Sequence, residues 1–152
     1  MMRSMSVQFL RLPHGTDLPL PAYQTAHAAA MDLQAAVSTP VVIEPGTIAL
    51  VGCGFAMALP VGYEAQVRPR SGLASKQGLT VVNTPGTIDP DYRGEVKVAL
   101  INLGHAAVTI ERGMRIAQLV VAPVTRVAWE PVTELPASDR GAGGFGSTGG
   151  TG

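Results

Sequence analysis

The chain has 152 residues, enough for one domain with a full core. Hydrophobic residues make up 46% and charged residues 14%, which excludes a disordered chain and leaves few charges to cover a surface, so part of that surface is expected to lie against other copies. Basic and acidic residues balance at 11 each, a poor basis for gripping duplex nucleic acid, though a local group of arginines and backbone N–H groups can still hold a nucleotide.

In chain order, short apolar runs alternate with turn signals. VQFLRL, from Val7, leads in, and no continuous apolar leader precedes it. VVI (41–43) runs into Glu44-Pro45-Gly46, a type II turn signal with Gly where φ must be positive. TIALVGCGFAMAL (47–59) ends at Pro60-Val61-Gly62. The stretch 41–59 is the most apolar, but Glu44, Pro45 and several glycines interrupt it, so it is no membrane span. Its Cys53 is the only cysteine, which fits a reducing compartment; a cytoplasmic location with no membrane partner is expected. GYEAQVRPR, LTVVN, GEVKVALIN, AAVTI and RIAQLVVAPV follow, separated by Thr84-Pro85-Gly86, Leu103-Gly104 and Arg112-Gly113. Within GEVKVALIN, Val96 and Val98 share one strand face and Glu95 and Lys97 the other. Eight or more short strands with frequent Gly and Pro read as an all-β barrel or sandwich. The one helix expected is short, around 71–76. After Pro136 the tail ASDRGAGGFGSTGGTG cannot build core, so residues 1–136 form the body and 137–152 a flexible tail.

Five segments could carry chemistry, and each has a plainer reading. Asp89-Pro90-Asp91-Tyr92-Arg93-Gly94 could place a carboxylate as general base on water, or simply form a turn. In Arg68-Pro69-Arg70-Ser71-Gly72-Leu73-Ala74, Ser71 and the following N–H groups could meet an anion, or Ser71 could be an ordinary N-cap. In the tail, Arg140 offers a bidentate guanidinium, the glycines offer N–H groups to phosphate, and Phe145 offers a face to a base; the plain alternative is a linker. Asp32 and Gln118 are each a lone polar residue in an apolar run, needing a partner if buried, or simply occupying a solvent-facing strand position. His14, His27 and His105 lack metal-ligand spacing, and Cys53, between two glycines, reads as structural.

Taken together and in order, these segments resemble the five motifs of the trimeric dUTPases. They are 29–33 around Asp32, 69–74, Asn83 to Gly94, 112–118 and 140–149. Ala30 stands where that family often has Gly. The resemblance implies a jelly-roll-like β-barrel, a homotrimer with shared active sites and a flexible Gly-rich C-terminal tail. It implies hydrolysis of dUTP to dUMP and pyrophosphate by water attack on the α-phosphorus, limiting uracil in DNA and supplying dUMP for thymidylate synthesis. Mg2+ is then held mainly by the triphosphate, with Asp32 reaching it through water. Asp89 resembles the base that activates the water, and Gln118 the amide that helps hold it. Arg70, Ser71 and Gly72 are similar to the phosphate-binding turn. Asn83, Gly86, Thr87 and Ile88 correspond to the uracil hairpin, with Lys97 adding backbone and Tyr92 packing on the deoxyribose. Arg140, Gly143, Gly144 and Gly146 would close over the β- and γ-phosphates, and Phe145 would cover the uracil.

Two rivals are open at this stage. A dCTP deaminase-like enzyme of the same fold is expected to carry Arg-Ser-Ser and a catalytic glutamate, where this chain has Arg70-Ser71-Gly72 and Asp89. A non-catalytic nucleotide-binding β-barrel would not need Asp89, Gln118 and the complete tail.

Overall fold

The computed structural model describes residues 4–150; Met1, Met2, Arg3, Thr151 and Gly152, at the two ends of the expected body and tail, lie outside the described residues. Among the described residues eleven strands, one 3-10 turn and one short helix follow one another. The strands are β1 (Gln8–Arg11), β2 (Met31–Gln34), β3 (Val41–Ile43), β4 (Ile48–Gly52), β5 (Phe55–Ala58), β6 (Tyr63–Arg68), β7 (Leu79–Val81), β8 (Gly86–Ile88), β9 (Lys97–Asn102), β10 (Val108–Ile110) and β11 (Arg115–Pro123). Helix α1 spans Ser71–Gln77, and the 3-10 turn spans Pro13–Gly15. The all-β expectation is met. β8 was not legible as a strand, because it starts inside a Pro-Gly turn signal; β2 was legible only as the plainer strand reading of Asp32, its short Met31-Asp32-Leu33-Gln34 alternation being flanked by alanines.

The strands form four small antiparallel sheets, ordered β1-β5, β3-β10, β2-β11-β6-β8 and β4-β9-β7. Alternation decides which face goes inward. In β9, Val98, Leu100 and Asn102 are buried while Lys97 is exposed. The core collects Leu33, Ile43, Leu79, Leu100, Ile110 and Ile116 from six different strands, each 0–1% exposed. Its one buried polar side chain among the described residues, Asn102, is paired at both ends: Nδ2 donates to the carbonyls of Ile43 (2.9 Å) and Ala106 (2.8 Å), and Oδ1 accepts from the Gly104 N–H at 2.9 Å. An unpaired amide there would cost about 1–3 kcal/mol.

Strand β11 positions the site. It lies between β2 and β6, and its register sets Gln118 opposite both Asp32 and Arg68. After β6 the chain turns at Pro69-Arg70 into α1, which ends at Gly78 in the left-handed region (φ +70°), its N–H donating back to Ala74. The last strand ends at Pro123, and Val124 still bonds Gly62. The following arm is apolar and exposed: Val127, Trp129 and Leu135 are 72%, 90% and 79% accessible.

Candidate active site

The residues singled out in the sequence fall into three groups. The first lies at the far end of β6. Gln118 donates through Nε2 to the carbonyl of Pro69 at 3.1 Å, tying β11 to the turn that starts α1. Asp32, with its side chain 17% exposed, meets Arg70 at 3.2 Å and Arg115 at 3.6 Å. Arg70 also donates to the carbonyl of Arg115 at 3.2 Å. Two guanidiniums against one carboxylate leave this end with surplus positive charge, beside the exposed Ser71 and Gly72. The N-cap of α1 is Arg70, with no side-chain cap bond, and Ser71 is the first helical residue. Plain N-capping by Ser71 is therefore not what holds this turn, and its hydroxyl is left at an anion-favouring helix start. Arg115 is a member of this group that sequence reasoning gave no role; only its place in the fourth motif marked it.

The second group surrounds the β8 hairpin. Asn83, Gly86, Thr87, Ile88, Tyr92 and Lys97 line one cavity of about 160 Å3, with Val67, Glu95 and Val96. Gly86 packs on Val67, where a Cβ would come within 3.2 Å of the valine Cβ, so the backbone lies close to the cavity wall. Asp89 follows β8 directly and is exposed. The Tyr92 hydroxyl donates to the carbonyl of Glu95 at 2.7 Å.

The third group is the tail. Arg140 Nε donates to the carbonyl of Gly143 at 2.6 Å, and further turns close from Gly143 to Arg140 and from Ser147 to Gly144. Gly146 has a left-handed φ of +83°, and Phe145 shares that region at φ +51° with its ring fully exposed.

The first two groups are not together in one chain. Ile88 pairs with Ala65, so Asp89 comes level with Glu64, whereas Arg68 opposes Gln118. The Asp89 end and the Ser71 end are thus at least four strand residues apart, roughly 13 Å at 3.3 Å per residue.

Among the described residues no group of three or more His, Cys, Asp and Glu could cage a metal ion. A lone carboxylate, Asp32, fits an ion whose other ligands are phosphate oxygens and water. Cys53 is no nucleophile: burial, with the Glu95 carboxylate adding to it, pushes its thiol up from 9.0 to about 12.

A family model described as dUTPase matches residues 16–149. The chain belongs to the dUTPase family. It is 66% identical over 132 residues to the deoxyuridine 5'-triphosphate nucleotidohydrolase of Desulfotalea psychrophila (strain LSv54 / DSM 12343), covering 87% of this chain and 88% of that protein. It is 60% identical over 142 residues to the enzyme of the same name from Rhizobium meliloti (strain 1021), covering 92% and 89%. Among solved structures, Staphylococcus bacteriophage 80alpha dUTPase with dUPNHPP superposes with a TM-score of 0.84 at 27% identity, covering 96% of this chain and 99% of that one. The dUTPase from phage phi11 of S. aureus, described with a structural Mg(II) ion, is 23% identical with a TM-score of 0.76 over 88% of this chain and 100% of that one, and bears on the fold alone. No helix among the described residues is long and apolar enough to cross a membrane.

Proposed function

We propose that this chain is a dUTP diphosphatase, hydrolysing dUTP to dUMP and pyrophosphate by attack of water on the α-phosphorus. One observation carries the reading to particular residues: six of the residues named from sequence line a single small cavity, and Asp89 is the next residue in the chain after one of them, Ile88. At about 160 Å3 it is smaller than the ~300–1,000 Å3 of a drug-sized site, so it takes one ring rather than a whole nucleotide. Uracil fits such a hairpin because N3 and position 4 exchange donor and acceptor between uracil and cytosine, leaving polar groups unpaired in the wrong complex. The close backbone at Gly86 rejects a thymine methyl by clash. The Tyr92 ring lies under the sugar and leaves no room for a 2′-hydroxyl.

Asp89 takes the proton from water, and Gln118 helps orient that water. Arg70, Ser71 and Gly72 hold the α- and β-phosphates. Arg140 with Gly143, Gly144 and Gly146 closes over the outer phosphates, and Phe145 covers the base, making residues 137–152 a lid. A bound Mg2+ would supply charge neutralisation on the triphosphate, and Asp32 would help hold it through water.

Reacting atoms must come within about 3–3.5 Å. The separation of Asp89 from the Ser71 turn therefore calls for a second copy of the chain, and we take the active assembly to be a homotrimer with shared sites. Two apolar surfaces support this: the arm around Trp129, and the outer face of β4, where Ile48 and Leu50 are 58% and 65% exposed. The dCTP deaminase-like alternative is not favoured, since Gly72 and Asp89 stand where it would need Ser and Glu. The test is pyrophosphate release from dUTP, dTTP, dCTP and UTP, with and without Mg2+. Preference for dUTP that depends on the ion is the expected result; ammonia from dCTP would overturn the reading.

A further inference from the structure

Glu95 sits outside every role given above, yet its surroundings are built for it. Its carboxylate, largely buried, accepts from His14 Nε2 at 2.6 Å and from the Gly54 N–H at 3.0 Å. Gly52 is bare beneath it: a Cβ there would collide with the Glu95 carboxylate. His14 itself is held firmly. Arg112 Nη2 donates to its carbonyl at 2.7 Å, Leu12 bonds the Gly54 carbonyl at 2.9 Å, and Gly15 packs so tightly on Gly54 that neither has room for a side chain.

The same residue holds Tyr92. The phenol donates to the Glu95 carbonyl at 2.7 Å, and the ring folds back over Gly94, where a Cβ would come within 2.5 Å of the hydroxyl. The neighbouring backbone is pinned on both sides, with the Val96 N–H bonding the Phe55 carbonyl and the Val96 carbonyl taking the Cys53 N–H. One residue thus joins the Tyr92 ring, through its carbonyl, to the Pro13–Gly15 turn and the Gly54 loop, through its carboxylate.

We infer that Glu95, anchored by His14 and the Gly54 N–H, is a positioning residue that sets the Tyr92 ring and with it the discrimination of deoxyribose from ribose. The inference rests on the reading of Tyr92 as the wall under the sugar. Without the carboxylate anchor the 93–95 segment is held only from the Val96 side, the ring gains play on that hinge, and space opens for a 2′-hydroxyl.

The experiment compares kcat/KM for dUTP and for UTP, and reads their ratio. Glu95→Ala should lower the ratio roughly tenfold, the scale of one lost charge-assisted hydrogen bond. Glu95→Gln should restore it to within about twofold, since the amide oxygen can still accept from Gly54. His14→Ala, at an exposed position outside the core, should lower the ratio by a smaller factor because Gly54 remains, and it carries the test should Glu95→Ala fail to fold. Tyr92→Phe, which removes the bond and keeps the ring, should lower the ratio and be non-additive with Glu95→Ala. A ratio unchanged in folded Glu95→Ala and His14→Ala, or both nucleotides slowed equally, would overturn the proposal. Tyr92→Ala separates the two layers. An unchanged ratio there defeats the sugar-wall reading and the inference with it. A lowered ratio there, beside unchanged ones in the Glu95 and His14 variants, defeats the inference alone. Absence of dUTP cleavage by the unaltered protein would defeat the enzyme reading before any variant is compared.

Discussion

Two inactive variants of this chain are expected to restore each other. The first is Asp89→Asn with its tail intact; the second is the chain ended after Pro136 with Asp89 intact. Asp89 lies level with Glu64 on β6, and the Arg70–Ser71 turn begins beyond Arg68, so on the proposed reading the two serve one phosphorus from different copies. Arg140 lies 17 residues past the end of β11, and an extended arm of that length reaches up to about 56 Å. That is ample to serve a neighbour. In trimers refolded from an equal mixture, a site works when its Asp89 comes from the truncated chain and its tail from the Asp89→Asn chain. Random assembly into cyclic trimers makes roughly a quarter of the sites complete. Pyrophosphate release should therefore return to about a quarter of the unaltered level, against a far lower sum for the two variants refolded separately. Mass spectrometry establishes that the trimers are mixed. Mixed trimers without recovered activity would refute the shared site, because a tail serving its own chain's Asp89 can never complete a site in any mixture.

Asp89→Asn alone should keep the fold and nucleotide binding while turnover falls by about 10²–10⁴, since the near-isosteric amide cannot take the proton; stopped assays and binding by calorimetry check both halves, and near-normal turnover rules Asp89 out as the base. Truncation after Pro136 should leave the circular dichroism spectrum of a β-fold and the melting point nearly unchanged, because no core residue is lost, while activity drops steeply. The Cys53 thiol is raised from 9.0 to about 12 in the folded chain, so folding stability linked to it is full below pH 9 and declines as pH rises from 9 towards 12. At pH 8 a thiol reagent should label Cys53 slowly in the native protein and at once in denaturant; fast native labelling would contradict its burial.

Most strands announced themselves through local chemistry. The alternation in 94–102 and the Gly-ended turns at 44–46 and 60–62 each act within a few residues, so sequence alone determined that this is an all-β chain with one short helix. The motif segments were likewise legible as resemblances, because each is a contiguous run. What no contiguous run could decide is register. Gln118 meets the Pro69 carbonyl only because β11 slides between β2 and β6 with a bulge between Arg115 and Ala117, a choice made by burying Ile116, Ala117 and Leu119 together. The Arg70–Asp32–Arg115 group follows from that register and was invisible beforehand. So was the pairing of His14 with Glu95 across 81 residues, which depends on Gly15 and Gly54 meeting backbone to backbone. Only the tertiary structure, likewise, places Asp89 and Ser71 at opposite ends of β6, because the pairing of β8 with β6 sets that distance, and strand pairing is fixed by the core rather than by either segment.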